Sequence, residues 1–393
     1  MPISHRDITM LGMAHRRIRT FPFGIGIRDR LSHMYIIGQT GTGKSTLIEH
    51  LAHQDAQAGR GFCLIDPHGD LAKRLAHSLQ DKAIFWQVPE PTCRLGYNPL
   101  THTTAAFRPL VAAGLIDALK KQWSDAWGVR MEHLLRYAIL ALLEHGRTDL
   151  RDILQMYLDR DFRNQVLARV SDEQVIRFWR SEFPAMNYKT AADGIAPIAN
   201  KLGAFLAHPV VRHAICDPEI PLRFRDIMDK GQILIVSLEK GRLGSDTANV
   251  LGGLLVSSIV HAAFTRTIQG KSERRPFMLY IDEFHSFTTE TLAELLSETR
   301  KYHLAAILAQ QHTQQSSQPV FSSVMGNTGN LVCFRTGALD APIMAHQLGG
   351  IDPHDIMMQA NFQAFVRILV DGERTRSFSM TSFPPIPIAQ TEI

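Results

Sequence analysis

Nine consecutive residues, Gly38, Gln39, Thr40, Gly41, Thr42, Gly43, Lys44, Ser45 and Thr46, carry the chemistry of phosphate binding. The first eight fit G-x-x-x-x-G-K-[ST], between an apolar run at 34–37 (MYII) and a helical pattern that continues past Thr46. Glycine lets the backbone wrap with its N–H groups inward, and the helix start adds the positive end of its dipole. Lys44 brings a point charge to the β- and γ-phosphates, and the Ser45 hydroxyl is a candidate Mg²⁺ ligand. The loop therefore predicts a site for ATP with Mg²⁺.

A second constellation is FMLYIDE at 277–283, an apolar strand ending in two acids. Asp282 at that strand end is placed to hold the magnesium through water, and Glu283 to polarise the attacking water. An adjacent glutamate points to hydrolysis of the nucleotide rather than phosphoryl transfer to a second substrate. The strand at 305–308 (AAIL) runs into Ala309-Gln310-Gln311-His312. An amide there can sense the γ-phosphate, and Gln311 or Gln310 is the candidate. The strand at 331–334 (LVCF) is followed by Arg335, whose planar guanidinium suits charge on a transferring phosphate, in cis or from a neighbouring subunit.

Other groupings carry less chemistry. Glu49-His50-x-x-His53 lacks the H-E-x-x-H order and lies on the helix after the phosphate loop, so it reads as packing or surface. Cys63, Cys93, Cys216 and Cys333 are far apart, with neither a disulfide framework nor zinc spacing. Trp123, Trp127, Trp179 and Phe178 could stack on bases, but core packing is the better reading.

These residues need elements to position them. From 25 to about 100, short apolar runs alternate with helical patterns, which predicts βαβ units and a parallel sheet. From 107 to 225 the apolar residues fall at helical spacing, and strand texture returns afterwards. The expected layout is an N-terminal basic segment (1–24), a first α/β part (25–105), an all-α insertion (106–225), and a second α/β part (226–393). Asp371-Gly372 predicts a closing hairpin at the sheet edge, before a tail. Near the N-terminus Arg6, Arg16, Arg17, Arg19, Arg28 and Arg30 face only Asp7 and Asp29, a flank that is either solvated or phosphate-facing.

The chain has 393 residues, of which 45% are hydrophobic and 20% charged; Lys+Arg 42 against Asp+Glu 38 leaves 42 − 38 = +4. That composition excludes disorder, collagen and coiled coil. The longest apolar stretch, 250–264, falls short of the roughly 20 residues of a membrane span. With no secretory signal at the start, the expectation is a cytoplasmic protein without membrane insertion.

Taken together, the motifs resemble the HerA/FtsK superfamily of DNA-pumping ATPases, and within it soluble relatives of type IV secretion coupling proteins. The resemblance rests on the loop region 28–52, GFCLIDPHGDLA at 61–72, WSDAWGVRMEHLLRYAILALLE at 123–144, ILIVSLEKGRLGSDTANVLGGLLV at 233–256, the segment 277–311 and GNTGNLVCFRTGALDA at 326–341. It implies a RecA-like P-loop ATPase core interrupted by an all-α domain, a homo-oligomeric ring, usually a hexamer, and DNA through the central hole. Arg335 would then arrive in trans. A pore that tracks DNA needs loops that grip phosphates regardless of sequence. The candidates are 237–246, with Lys240 and Arg242, and 314–326. The implied activity is Mg²⁺-ATP-dependent DNA translocation with a relaxase or secretion partner; the alternative is a ring that scaffolds a partner nuclease or effector.

Overall fold

The computed structural model describes residues 7–16, 19–100 and 103–386. Arg6, Arg17 and the tail after 386 lie outside these residues, as does the side chain of Arg16. The strands in chain order are β1 (Ile8–Arg16), β2 (Arg19–Gly26), β3 (Met34–Ile37), β4 (Gly61–Asp66), β5 (Ala83–Gln87), β6 (Leu95–Gly96) and β7 (Ile220–Pro221). They continue with β8 (Ile233–Ser237), β9 (Phe277–Ile281), β10 (Leu304–Gln310), β11 (Asn330–Phe334), β12 (Gln363–Arg367), β13 (Leu369–Val370), β14 (Glu373–Arg374) and β15 (Phe378–Ser382).

The chain divides into two compact units, residues 1–85, 225–239 and 266–393 in the first, 86–224 and 240–265 in the second. In the first unit the sheet runs β2-β1-β15-β12-β11-β3-β10-β9-β4-β8-β5. Its centre is parallel: β11 and β10 flank β3, β9 pairs with β10, and β4 joins β9 to β8. These central strands are apolar along their length because both faces are buried, and every residue of β3, β4, β8, β9, β10 and β11 is buried. The architecture is the expected α/β core with a parallel-rich sheet. Strand β10 lies between β3 and β9, so the ends of three strands that carry chemistry are neighbours.

Two expectations at the sheet flank are corrected. The segment before residue 25 is not only a basic arm, because β1 and β2 form an antiparallel hairpin and β1 pairs with β15. The Asp371-Gly372 hairpin is not at the sheet edge; it joins the two-residue strands β13 and β14, outside the main sheet. Its turn is held by the buried Asp29, whose carboxylate accepts from Asp371 N at 3.0 Å and Gly372 N at 2.9 Å. No local pattern encodes that contact across more than 300 residues.

Arg30 also departs from the solvated or phosphate-facing reading. Its guanidinium is buried and grips Asp55 with both arms, at 2.6 and 3.0 Å, while Nη2 reaches the Tyr280 hydroxyl at 2.8 Å. Arg60 Nε donates to the same carboxylate at 2.7 Å, and Tyr280 O–H donates to it as well. Asp55 sits on the helix Lys44–Gln57 and Tyr280 on β9, so the cluster fixes the phosphate-loop helix against the central sheet.

The second unit is mainly helical, but it starts at 86 rather than 106 and includes 240–265, placed by the sequence reading in the α/β part. The reason is packing. The helix Ser245–Phe264 crosses the helix Arg108–Gln122 so closely that a Cβ on Gly114 would lie 2.4 Å from the side chains of Ser257 and His261. Residues 245–268 form a helix long and apolar enough to cross a membrane, and 78% of its most apolar 18-residue stretch is buried inside the fold. It reads as a core helix. A two-residue parallel pairing of β6 with β7 is the strand content that helical spacing concealed. Phe178 stacks on Tyr137 at 4.1 Å and Trp179 Nε1 donates to Tyr137 O at 3.2 Å, both buried, so these aromatics are core.

Replacing Asp55 by alanine would leave Arg30 buried without its carboxylate. Denaturant unfolding of Asp55→Ala is expected to show a loss of about 3–5 kcal/mol, the usual cost of breaking a buried pair from one side. Burial works to raise the Asp55 carboxyl, but Arg30 and Arg60 win and hold it below its ordinary range. Its contribution is therefore present above the unfolded carboxylate range and fades as pH falls through the lowered folded value, a slope the alanine variant should lack.

Candidate active site

The phosphate loop leaves β3 and enters the helix Lys44–Gln57 through Gly41 at φ 79° and Gly43 at φ 122°. At Gly43 the backbone is pressed between Phe334 and Phe362, where a Cβ would meet both at 3.1 Å. The loop is braced from inside and outside. Thr42 Oγ1 donates to Gln39 O at 2.7 Å, Gln39 N donates to Arg335 O at 2.9 Å, and Phe362 N donates to Thr42 O at 2.8 Å. The first N–H groups of the helix have no intrahelical acceptors and remain available to an anion.

A cleft of about 640 Å³ opens over this loop, a size that suits a nucleotide. Thr40, Gly41, Gly43, Lys44, Ser45 and Thr46 line it on the loop side. Lys44 is buried, and its ammonium donates to Gly38 O at 2.6 Å and Gln39 O at 3.2 Å. Burial lowers its proton affinity, and the nearby Asp282 and Glu283 work against that loss.

Facing the loop are three buried carboxylates from adjacent parallel strands. Asp66 ends β4; Asp282 and Glu283 follow β9. Burial, then Asp66 and Glu283, push the Asp282 carboxyl up to about 7 against the pull of Lys44. Asp66 is spoken for by its own turn, accepting from His68 N at 2.8 Å and Ala72 N at 3.0 Å. Glu283 stands at φ 48°, a left-handed conformation uncommon outside glycine, and this turns its carboxylate toward the end of β10. There Gln311 Nε2 donates to Glu283 Oε1 at 2.6 Å, and Thr40 Oγ1 donates to Gln311 Oε1 at 2.9 Å. One amide thus joins the phosphate loop to the second acid.

The alternatives Gln310 and Gln311 separate by geometry. Gln310 is fully buried, donating to the Tyr35 hydroxyl at 2.6 Å and accepting from Ser316 Oγ at 2.9 Å, whereas Gln311 lines the cleft. Arg335 is not among the residues lining it. Its main chain braces the loop of the same chain, and its guanidinium holds Gln359 O at 3.1 Å and Asn361 Oδ1 at 3.0 Å, just before Phe362. Lys240 and Arg242 fall in the second unit, on the short helix Lys240–Leu243, and Arg242 Nη2 donates to Pro89 O at 3.1 Å. The other candidate grip segment, 314–326, is largely the helix Gln318–Asn327 rather than a loop. Glu49 pairs with Arg74 at 3.3 Å and His53 lies 3.0 Å from Ser78 Oγ, so the E-H-x-x-H stretch is packing.

Sequence reasoning missed Asp66 and Phe362 as parts of the site. The strand-ending Asp66-Pro67-His68-Gly69-Asp70 was a usable signal for the first, since an acid at a parallel strand end next to a phosphate loop is where charge gathers. Phe362, at φ 67° and reached only through the fold, had none.

Comparison with known proteins adds the family. Residues 17–352 match the family described as type IV secretion-system coupling protein DNA-binding domain. The type 4 coupling protein DotL of Legionella pneumophila is 21% identical in an alignment 372 positions long that covers 78% of this chain and 47% of DotL. The chain therefore spans about half the length of that relative. Among solved structures, the bacterial conjugative coupling protein TrwB aligns with a TM-score of 0.67 at 16% identity, covering 95% of this chain and 88% of the other. TrwB in complex with ADP and Mg²⁺ aligns at 0.66 over 94% of this chain and 89% of that one, with 15% identity. VirB4 of Thermoanaerobacter pseudethanolicus aligns at 0.62 over 97% and 98%, also with 15% identity. These likenesses establish a shared fold, and the family match across most of its residues shows that this chain belongs to the type IV secretion-system coupling protein DNA-binding domain family.

Proposed function

We propose that this chain is the ATP-driven motor core of a DNA-transfer coupling protein. It binds ATP with Mg²⁺ in the phosphate-loop cleft, hydrolyses it, and uses the turnover, as a homo-oligomeric and usually hexameric ring, to move DNA toward a type IV secretion channel. The observation that carries the reading is the convergence of Lys44, Asp282, Glu283 and Gln311 on one cleft in a chain of this family.

In this reading the loop N–H groups and Lys44 bind the β- and γ-phosphates, Lys44 exchanging its bonds to Gly38 O and Gln39 O for phosphate oxygens. Ser45 and Asp282 are the residues that would hold Mg²⁺, which supplies neutralisation of phosphate charge. The donor set fits: the desolvated Asp282 lies beside Asp66 and Glu283, an excess of negative charge that a hard divalent cation offsets. Glu283 orients the attacking water and takes its proton. Gln311, bonded to both Thr40 and Glu283, reports on the γ-phosphate, and Gln310 is structural. Arg335 acts in cis, keeping Phe362 against the loop.

Two measurements test this. ATP hydrolysis is expected to rise with added single- or double-stranded DNA at low salt, and to fall by about 10²-fold or more in Lys44→Ala and Glu283→Gln, the second still binding nucleotide. A rate indifferent to both forms of DNA would sink the translocase reading. For the amide link, denaturant melts of Gln311→Ala, Glu283→Ala and the double variant should show a coupling of about 1 kcal/mol; simple additivity would mean that the bond does not form.

A further inference from the structure

A second cleft of about 690 Å³ lies in the same unit, along the helix Gln318–Asn327 and beside the helix Ala341–Gln347. Among the described residues no aspartate or glutamate lines it. Two arginines do. Arg367, at the end of β12, is half-buried; its Nη1 donates to Gln347 O, and its Nε is buried with no hydrogen-bond partner among the described residues. Arg374, on β14, is exposed and close enough that its charge, after burial, lowers the proton affinity of Arg367. Two neighbouring guanidinium charges with no carboxylate among the described lining residues cost free energy that an anion in the cleft relieves. Gln314, Gln318 and Ser322 add neutral donors, and Met325 and Ile343 add apolar surface along the same wall.

We infer that this cleft seats the phosphates of a DNA strand. The assignment rests on the DNA-motor reading above and names its grip. Guanidinium forks and uncharged donors suit phosphates of any sequence, and the apolar side chains offer bases a surface. A ten-residue helix wall is about 15 Å long, enough for more than one phosphate.

The position also explains how the grip meets the nucleotide. Thr313 and Ser316 line the cleft two and five residues after Gln311. The turn between is stiff: Gln315 Oε1 accepts from Gln311 N at 3.1 Å and His312 N at 3.0 Å, Ser316 Oγ donates to Gln310, and Thr313 Oγ1 donates to the buried Asp340 at 2.6 Å. A shift of Gln311 is therefore carried to the cleft by a braced turn.

The test is binding of a fluorescein-labelled oligothymidylate by fluorescence anisotropy, without nucleotide, across a salt series. Arg374→Glu, on an exposed position, is expected to weaken binding about tenfold or more at low salt. Arg367→Ala with Arg374→Ala should flatten the slope of log K against log salt by about 1.4, and Arg374→Lys should keep the wild-type slope. Far-UV circular dichroism and thermal melting confirm that each variant is folded; should the Arg367 change fail to fold, Arg374→Glu decides alone. Wild-type affinity in Arg374→Glu overturns the assignment. So does loss of self-association in sedimentation with DNA affinity intact, which would make the cleft a subunit contact. Stabilisation by inorganic phosphate alone, with oligothymidylate binding unchanged in the variants, would make it a free-phosphate site and overturn it too. Failure of the wild-type protein to bind oligothymidylate is distinguishable from these, since it removes the DNA-motor reading itself and this assignment with it.

Discussion

The ammonium of Lys44, buried against the carbonyls of Gly38 and Gln39 and next to the carboxylates of Asp282 and Glu283, is the charge on which the site depends. In water such a cluster would be weakly coupled; in a dry pocket each charge sets the state of the others. Keeping it dry requires strands buried on both faces, and that is why β3, β4, β9 and β10 are apolar throughout until their last residues. Keeping it dense requires those strand ends to be adjacent, which the order β3-β10-β9-β4 provides.

The local backbone is bent to the same purpose. Glu283, Glu239 and Phe362 all have positive φ without being glycine, at 48°, 42° and 67°. Each costs of order 1–3 kcal/mol and survives only where neighbours over-determine it. Glu283 is held by Gln311 and Phe362 by its bond to Thr42 O. Glu239 pairs with Lys73 at 3.1 Å, above Gly69, where its side chain fills the space a Cβ would need. Three of the seven described non-glycine residues with positive φ thus stand around the phosphate loop and the turn after β4, and His33, Gln80, His303 and Asp371 lie elsewhere.

Much of the first unit was legible because its signals are local. The eight-residue phosphate loop, the apolar runs that become β3, β9 and β10, and the acids that end β9 are contiguous patterns whose period and punctuation reflect burial on both faces. What escaped was set by partners distant in sequence. Asp29 and Arg30 read as part of a flank that is either solvated or phosphate-facing until the turn at 371–372 folds onto Asp29 and until Asp55 and Tyr280 surround Arg30. The helix Ser245–Phe264 is apolar on all sides, so periodicity could not say which unit it packs into; the close approach at Gly114 decides it. Gln310 and Gln311 are indistinguishable by type, and alternation along a strand separates them only once β3 is known to lie alongside.

That alternation also decides how the end of β10 is built. At the end of a buried parallel strand, consecutive residues must point to opposite sides. With Gln311 committed to Thr40 and Glu283, Gln310 is forced into the core, where its amide must be satisfied, and Tyr35 and Ser316 do this. Ser316 is thereby tied to the strand end, and the intervening residues close into a short turn capped by Gln315. The stiffness of this turn follows from the hydrogen-bond requirements of a buried amide. Gln311 cannot move far without disturbing Gln310, and Gln310 cannot move without losing its buried partners. The turn that follows β10 is therefore the part of the first unit to which a displacement of Gln311 is passed on, because the strand behind it is packed too tightly to absorb it.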